Sequence, residues 1–248
     1  MDKIILITGG SRGIGKATAM KAAKKGYAVC INYKSNKAAA EDLVNTIVST
    51  GGTAIALQAD ISVEEEVINL FKSLDDSLGR ITALVNNAGI LDTQSLVVNM
   101  TAERFQRVFA TNVLGTFLCA KEAVKRMSLQ NGGNGGAIVN VSSKASTHGG
   151  SFEYVDYASS KGAVDTFTMG LAKEVAADGI RVNGVRPGVI YTDIHASGGE
   201  AGRVDRIAPT VPMKRGGQPE EVADAILWLL SNEASYITGV LVDVTGGR

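Results

Sequence analysis

Short apolar runs alternate with longer amphipathic stretches along the whole of the 248-residue chain. Most of the runs are continuous and rich in Val and Ile, as is typical of strands that a parallel sheet buries on both faces. They predict strands over residues 4–8, 28–33, 53–58, 83–86, 137–141, 181–185 and 240–244. The amphipathic stretches predict helices over residues 14–25, 36–50, 64–78, 102–128, 157–177 and 219–231.

Two local patterns mark the starts of predicted helices. Ser62-Val63-Glu64-Glu65 has the form of a capping box ahead of the helix over 64–78. Pro219 stands at the first position of the last helix, where proline is favoured. The regular strand and helix alternation predicts an α/β fold of the doubly wound Rossmann type, with a single seven-stranded parallel sheet and helices on both faces. Because no linker or internal repeat interrupts it, we predict one domain over residues 1–248.

One long segment, residues 190–218, departs from this alternation. It follows the sixth predicted strand and carries Gly198, Gly199 and Gly202 near its middle. Long loops in compact domains are often functional. This one leaves the carboxyl edge of the sheet, where doubly wound folds bind their ligands. We therefore predict that residues 190–218 form a substrate lid.

Composition excludes several classes of function. The 25 basic and 25 acidic residues give a formal net charge of +0, which does not suit the basic surface of a nucleic-acid-binding protein. We find no apolar run near the roughly 18 residues of a membrane span and no signal peptide, so we predict a cytoplasmic protein. Cys30 and Cys119 lie far apart in apolar surroundings, which favours buried thiols over a disulfide or a metal site. We predict no metal.

A glycine-rich turn follows the first predicted strand and precedes the first helix. It reads Thr8-Gly9-Gly10-Ser11-Arg12-Gly13-Ile14-Gly15. Glycines let a backbone approach a pyrophosphate closely, and a helix N-terminus offers free N–H groups to the anion. The spacing differs from the G-x-G-x-x-G of many dinucleotide folds. It resembles the T-G-x-x-x-G-x-G motif of the short-chain dehydrogenase/reductase family.

Further motifs of that family occur in the expected order and extend the resemblance over essentially the whole chain. Asn86-Asn87-Ala88-Gly89 ends the fourth strand and resembles its N-N-A-G motif. Tyr157-Ala158-Ser159-Ser160-Lys161 resembles its Y-x-x-x-K motif, and Arg186-Pro187-Gly188 with Thr192 resembles its P-G-x-x-x-T motif. The resemblance implies a nicotinamide-dependent oxidoreductase.

Tyr157 and Lys161 are four residues apart, so they share one face of a helix. A free tyrosine has a pKa of about 10, and lowering it to about 7 takes roughly 4 kcal/mol. A nearby ammonium favours the phenolate, and we expect Lys161 to lower the pKa of Tyr157 in this way. Tyr157 would then remove a proton from an alcohol or return it to a carbonyl. Spacing alone also fits a solvated helix face, and the surrounding motifs favour catalysis.

The resemblance implies two more catalytic residues. Ser143, the second serine of Asn140-Val141-Ser142-Ser143, matches the serine that hydrogen-bonds the substrate oxygen. Ser142 is the alternative. Asn112 lies in the helix after the fourth strand, where the family has an asparagine that holds a water in a proton relay. Lys161 is also implied to bind the nicotinamide ribose.

The residues at the end of the second predicted strand bear on whether the cofactor is NAD or NADP. NAD selection usually needs an acidic residue there, bonded to the ribose 2′-OH. This chain has Tyr33-Lys34 instead, with Arg12 in the glycine-rich turn, and two cations suit a 2′-phosphate. We predict NADP(H), with NAD as the alternative. The residues predicted to bind the cofactor are Gly9, Ser11, Arg12, Gly13, Ile14, Gly15, Tyr33, Lys34, Asp60, Ile61, Asn87, Ala88, Gly89, Tyr157, Lys161, Pro187, Gly188, Ile190 and Thr192.

The substrate is predicted only as a class, a small-molecule carbonyl or alcohol. The residues expected to line its site are Leu91, Gln94, His148, Phe152, Tyr191 and those of the lid over 193–207. Within the family the chain resembles bacterial 3-oxoacyl-carrier-protein reductases and glucose 1-dehydrogenases, and either activity is an alternative. A non-catalytic dinucleotide sensor is disfavoured because the tyrosine and the lysine are both intact. The resemblance also implies a homotetramer, with no nucleic-acid or membrane partner.

Overall fold

The computed structural model describes residues 3–248 and centres on one seven-stranded sheet. All strand pairs are parallel, and the strand order is β3-β2-β1-β4-β5-β6-β7. This confirms the predicted doubly wound Rossmann architecture. The strands are β1 (Ile4–Ile7), β2 (Ala28–Tyr33), β3 (Thr53–Gln58), β4 (Ala83–Asn86), β5 (Gly136–Val141), β6 (Ile180–Pro187) and β7 (Leu241–Val244).

Helices connect the strands and cover both faces of the sheet. They are α1 (Gly13–Lys24), α2 (Lys37–Ser49), α3 (Glu64–Leu78), α4 (Ala102–Phe109), α5 (Gly115–Met127), α6 (Ala145–His148), α7 (Val155–Glu174), α8 (Ile194–Ser197), α9 (Arg203–Ile207) and α10 (Pro219–Leu230). A π-helix spans Ala110–Leu114 between α4 and α5. Short 3₁₀ helices occupy Val97–Asn99, Leu129–Asn131, Ala176–Asp178, Ala208–Thr210 and Asn232–Ala234.

Two apolar layers, one on each face of the sheet, form the core. Side chains alternate along a strand, so Ile5 and Ile7 of β1 pack on one face with α1, α2 and α10. Ile4 and Leu6 pack on the other face with α3, α5 and α7. β1 lies between β2 and β4, which is the point where the strand order reverses. In open α/β sheets the ligand crevice opens at that point, outside the carboxyl ends of the strands.

The predicted capping box at residues 62–65 is wrong, whereas the start of α10 is as predicted. The N-cap position of α3 is Val63, where no side chain caps the helix, and the Ser62 hydroxyl donates instead to the Asp60 carboxylate at 2.7 Å. At α10, Pro219 opens the helix behind a capping box between Gln218 and Glu221. A Glu221 oxygen accepts from the Gln218 backbone N–H at 2.7 Å.

Three predicted segments also differ in detail. The single helix predicted over 102–128 is widened into a π-helix at Ala110–Leu114, a distortion that is frequent at functional sites. The predicted lid over 190–218 contains α8, α9 and a 3₁₀ turn rather than unbroken loop. The helix predicted over 157–177 runs from Val155 to Glu174.

Two further predictions, made from composition, concern the cysteines and membrane-spanning segments. Cys30 and Cys119 are buried and free, as predicted, and burial raises the pKa of both thiols. Among residues 3–248, no helix combines the length and apolar character that a membrane crossing requires.

Candidate active site

A cavity of about 540 Å³ runs along the carboxyl ends of the strands. The cavity is lined by residues that follow each of the first six strands. The predicted cofactor and catalytic residues in that wall are Gly9, Ser11, Arg12, Gly13, Ile14, Tyr33, Lys34, Asp60, Ile61, Asn87, Ala88, Gly89, Ser143, Tyr157, Lys161, Pro187, Gly188, Ile190 and Thr192. The structure thus brings together residues from distant parts of the chain.

Two predicted residues, Gly15 and Asn112, lie behind the wall. A Cβ on Gly15 would come within 2.6 Å of the Gly9 carbonyl oxygen, so this glycine allows the turn to fold against α1. Asn112 is fully buried in the π-helix. Its Oδ1 accepts from the Ile90 N–H at 2.8 Å, and its Nδ2 donates to the Ile90 carbonyl and to Ser160 Oγ, both at 3.0 Å.

The glycine-rich turn is fixed by the segment after β4. Thr8 Oγ1 accepts from the backbone N–H groups of Asn87 and Ala88, each at 3.0 Å. Asn87 Nδ2 donates in return to the carbonyls of Thr8 and Gly9, each at 3.0 Å. The φ of +58° at Gly9 is a left-handed conformation that favours glycine. The turn therefore presents the N-terminus of α1 in a preformed geometry that suits an anion.

The part of the cavity beside the ends of β2 and β3 carries opposite charges that neutralise each other. Lys34 Nζ lies 2.6 Å from Asp60 Oδ2. Partial burial on its own would raise the pKa of Asp60, but hydrogen bonds from Lys34 and Ser62 hold that pKa below its ordinary value. Arg12 is exposed at the N-cap of α1. Lys34 is therefore engaged by a carboxylate, a pairing that the sequence did not predict.

The two serines after β5 have different surroundings. Ser142 is buried, and its hydroxyl donates to the Lys161 carbonyl at 3.1 Å. Ser143 lies in the cavity wall together with Tyr157, and its oxygen accepts from the Ala145 N–H at 3.1 Å. Of the two, Ser143 is the hydroxyl beside the tyrosine.

Tyr157 and Lys161 project from α7 into the same cavity. Lys161 Nζ lies 5.7 Å from the centre of the Tyr157 ring and donates to the Val141 carbonyl at 2.8 Å. Burial raises the pKa of Tyr157 above its ordinary value, and the hydrogen bond with Ser143 opposes the increase. The expectation that Lys161 lowers this pKa is therefore not met in the protein alone. Burial also lowers the pKa of Lys161 to about 8, against the opposing charge of Asp165.

The substrate end is formed in part by residues that were predicted to line it. Leu91 and His148 lie in the cavity wall. Three others face elsewhere: Gln94 donates to Glu200, Phe152 is 83% exposed, and the Tyr191 hydroxyl donates to Asp205. Their contact with a substrate stays a prediction, because none of the three is in the cavity wall of the protein.

Sequence reasoning missed a polar cluster that joins the 190–218 segment to the cavity rim. Arg203 lies in the cavity wall, packs over the Tyr154 ring at 5.0 Å and pairs with Glu153. Arg206 binds both Glu153 and Glu200. The sequence signal was the spacing of Glu200, Arg203 and Arg206, but their partner Glu153 is distant along the chain.

Comparisons with known proteins agree with this geometry. The family described as Enoyl-(Acyl carrier protein) reductase matches residues 9–248. The chain is 62% identical over 245 residues to an "Uncharacterized oxidoreductase YgfF" of Escherichia coli, covering 99% of both chains. It is 41% identical to a 3-oxoacyl-[acyl-carrier-protein] reductase of Synechocystis, covering 99% of this chain and 96% of the relative. It is 37% identical to Glucose 1-dehydrogenase 2 of Bacillus subtilis, covering 99% and 94%.

Proposed function

The chain belongs to the short-chain dehydrogenase/reductase family, and we propose that it is an NADP(H)-dependent oxidoreductase that interconverts a carbonyl and an alcohol. One observation carries this proposal. Ser143, Tyr157 and Lys161 share a cavity with the glycine-rich turn. Reduction of a carbonyl needs a hydride donor and a proton donor side by side, and this cavity has room and residues for both.

The glycine-rich turn fits a dinucleotide pyrophosphate. A Cβ on Gly9 would lie 2.9 Å from the Ala88 Cα, and one on Gly13 would lie 3.1 Å from Thr192 Cγ2, so side chains there would fill the cradle. We assign the pyrophosphate to this turn and the adenosine to the ends of β2 and β3. We assign the nicotinamide to Lys161 and to the residues after β6.

Our proposed mechanism uses Tyr157 as general acid and base. When bound, the nicotinamide supplies a hydride to the substrate carbon or accepts one from it. Tyr157 donates its hydroxyl proton to the carbonyl oxygen in reduction and removes the alcohol proton in oxidation. Ser143, beside Tyr157 in the cavity wall, turns its hydroxyl hydrogen to the same substrate oxygen and orients it.

Lys161 and Asn112 support the tyrosine in this proposal. The ammonium of Lys161 favours the phenolate and so opposes the effect of burial on Tyr157. The Asn112 side chain hydrogen-bonds to the Ile90 backbone and to Ser160 Oγ, which fixes the position of these two residues near Lys161. The relay water that the resemblance assigns to Asn112 stays a prediction.

The preference for NADP(H) over NAD is part of the proposal. Arg12 and Lys34 border the cavity where a ribose 2′-phosphate would lie, and β2 ends without a carboxylate. Asp60 is engaged by Lys34 and Ser62, so it is not a free acceptor for a ribose hydroxyl. This arrangement favours an anionic 2′ substituent.

We propose the substrate class from the names of the relatives. A 3-oxoacyl thioester and an aldose are the two candidates that the names of the Synechocystis and Bacillus subtilis relatives suggest. The 190–218 segment, which borders the cavity through Ile194, His195 and Arg203, is proposed as the lid over that substrate. We retain both substrates as arms of the test.

We also propose a single domain, a cytoplasmic location and a homotetramer. Apolar side chains remain exposed on α4, α5 and α7, among them Phe105, Phe117 and Met169. A second exposed set, with Trp228 and Val240, lies near the C-terminus. Such patches favour subunit contacts. A monomeric mass by light scattering would contradict the tetramer.

The test of function is NADPH oxidation against a panel that includes 3-oxoacyl thioesters and simple ketones, with glucose and NADP⁺ for the reverse direction. We expect Tyr157→Phe to lower kcat by roughly 100-fold or more, the usual contribution of general acid–base catalysis. Tyr236→Phe, at an exposed tyrosine outside the cavity, is the matched control and should keep full activity. NADPH binding without turnover of any carbonyl or alcohol would indicate the sensor instead.

A further inference from the structure

Asp165 lies on α7 one helical turn beyond Lys161, behind the cavity wall, and both residues are buried, with 7% and 4% of their surfaces exposed. One carboxylate oxygen of Asp165 accepts from Arg186 Nε at 2.9 Å. Its other oxygen, Oδ1, is buried and has no hydrogen-bond partner among residues 3–248. A buried carboxylate with an unpaired oxygen is costly. The charge at this position therefore calls for a functional explanation.

Asp165 ends a row of alternating charges that returns to the cavity. Arg186 Nη1 lies 3.5 Å from Asp243, and Lys144 Nζ lies 2.6 Å from the other oxygen of Asp243. Lys144 itself is in the cavity wall. We call Asp165, Arg186, Asp243 and Lys144 the charge row. Arg186 is shared between two carboxylates, so it neutralises Asp165 only in part.

The surroundings of Lys161 make it sensitive to this row. The groups around it that carry or exchange charge are Tyr157 and Asp165 on its own helix. Arg186 of β6 pairs with Asp165 and so acts on Lys161 through that carboxylate, and Asp243 of β7 and Lys144 after β5 extend the row beyond Arg186. The Val141 carbonyl, Gly89 and Asn112, from the other elements packed on it, are neutral. Asp165 favours the protonated amine, against burial. In a buried site such a charge acts with little screening.

We propose that Asp165 and Arg186 are positioning residues that set the proton affinity of the Lys161–Tyr157 pair in opposite directions. Asp165 holds the proton on Lys161, and Arg186 limits how strongly it does so. The proposal rests on the proposed catalytic role of that pair. Because the charges have opposite signs, removing one should have the reverse effect of removing the other, which a merely structural role would not produce.

The kinetic test is the pH profile of kcat/KM for carbonyl reduction, whose high-pH limb reports loss of the proton from the pair. Asp165→Asn removes the negative charge, and we expect the limb to move to lower pH by about one unit. Arg186→Gln leaves Asp165 uncompensated and should move the limb to higher pH. The double variant should lie between them. Asp76→Asn, an exposed aspartate on α3, is the matched control and should leave the limb in place.

A second variant avoids changes to the buried core. Asp243 is half-exposed, and Asp243→Asn lets Arg186 pair more fully with Asp165. We expect a smaller shift of the limb in the direction of Asp165→Asn. Limbs that stay in place, or that move the same way for Asp165→Asn and Arg186→Gln, would overturn the proposal.

A titration without turnover separates this inference from the proposed function. The ¹³Cε signal of Lys161, assigned by its loss in Lys161→Arg, reports the protonation of the amine directly. Opposite shifts in Asp165→Asn and Arg186→Gln would support the inference even if no substrate were reduced. If the Lys161 titration does not shift in Asp165→Asn and Arg186→Gln, the inference is refuted. If Tyr157→Phe nevertheless inactivates the enzyme, the proposed function stands.

Discussion

Arg104 of α4 and Asp156 of α7 form a buried bidentate ion pair, with Nε 2.7 Å from Oδ2 and Nη2 3.2 Å from Oδ1. The remaining amino group of Arg104 donates to the Thr93 carbonyl at 2.6 Å. Asp156 directly precedes Tyr157, so the pair ties the start of the helix that carries the proposed acid to α4 and to the segment after β4. The planar guanidinium suits this geometry in a way that a lysine would not.

Removing the arginine should destabilise the fold strongly. Arg104→Gln leaves the Asp156 carboxylate buried without its counter-ion, and we expect the free energy of unfolding to fall by about 3–5 kcal/mol. Urea denaturation measures the loss. Arg107 lies on the same helix as Arg104 and forms an exposed pair with Asp92. Arg107→Gln breaks that pair and should lower the free energy of unfolding by less than about 1 kcal/mol. Similar losses in the two variants would contradict the assignment of Arg104–Asp156 as a buried pair.

A methyl group at Gly15 should disturb the glycine-rich turn. The new Cβ would lie 2.6 Å from the Gly9 carbonyl and 2.7 Å from Asn87 Nδ2, so the turn must shift. We expect Gly15→Ala to weaken NADPH binding by roughly tenfold or more, about 1.4 kcal/mol, in a fluorescence titration. Gly170→Ala, at a helical glycine with no heavy atom within 4 Å of the added Cβ, should bind normally. Unchanged affinity in Gly15→Ala would show that the turn tolerates the shift.

The sheet could be predicted from sequence because each buried strand is a continuous apolar run. Ile4–Ile7 faces helices on both sides, so all four side chains are apolar. The capping of α3 could not be predicted in the same way. Ser62 has the right residue type, but the nearby Asp60 carboxylate takes its hydroxyl hydrogen, and sequence spacing does not rank competing local partners.

The candidate site shows the same division. The spacing of Tyr157 and Lys161 predicts that they share a face, and they do. Spacing carries no information on burial, however, and burial raises the pKa of Tyr157. Contacts between distant segments, such as Lys34 with Asp60 and Arg203 with Glu153, depend on loop paths that local patterns leave undetermined.

The two cations of the cavity wall near the end of β2, Arg12 and Lys34, should decide the choice of cofactor. If Arg12 contacts the 2′-phosphate, Arg12→Ala removes one charge-assisted hydrogen bond, and kcat/KM for NADPH should fall by about 10–100-fold. Lys34→Ala should act in the same direction, because it also frees the Asp60 carboxylate to repel the phosphate. Neither change should reduce kcat/KM for NADH by more than about threefold.

Steady-state kinetics with both cofactors measures this preference. Lys72→Ala, which removes an exposed cation of α3, controls for the change in net charge and should affect neither cofactor. A tenfold wild-type preference for NADH would contradict the proposed NADP(H) specificity. If Arg12→Ala lowers kcat/KM equally with both cofactors, Arg12 contacts the pyrophosphate that the two cofactors share and not the 2′-phosphate.

Acid should loosen the 190–218 segment. Glu200 accepts from Arg206 at 2.8 Å and from Gln94 at 2.7 Å, and its hydrogen bonds with Arg206 lower its pKa to about 2. Because the folded pKa lies below the ordinary value of 4.5, this contact stabilises the segment above about pH 4.5. The stabilisation is lost as the pH falls towards 2 and the carboxylate is protonated.

Hydrogen exchange of peptides from residues 193–207, corrected for the intrinsic pH dependence of exchange, measures this loosening. We expect protection in this segment to fall between about pH 4.5 and 2, before the protection of β1 is lost. Glu200→Gln should be less protected at neutral pH and should lose most of the pH dependence, with the remainder due to Glu153, whose pKa Arg203 also lowers. Glu233→Gln, in a 3₁₀ turn outside this cluster, should behave as the wild type. Protection that declines in parallel throughout the protein would show that acid acts on the whole fold and not on this carboxylate.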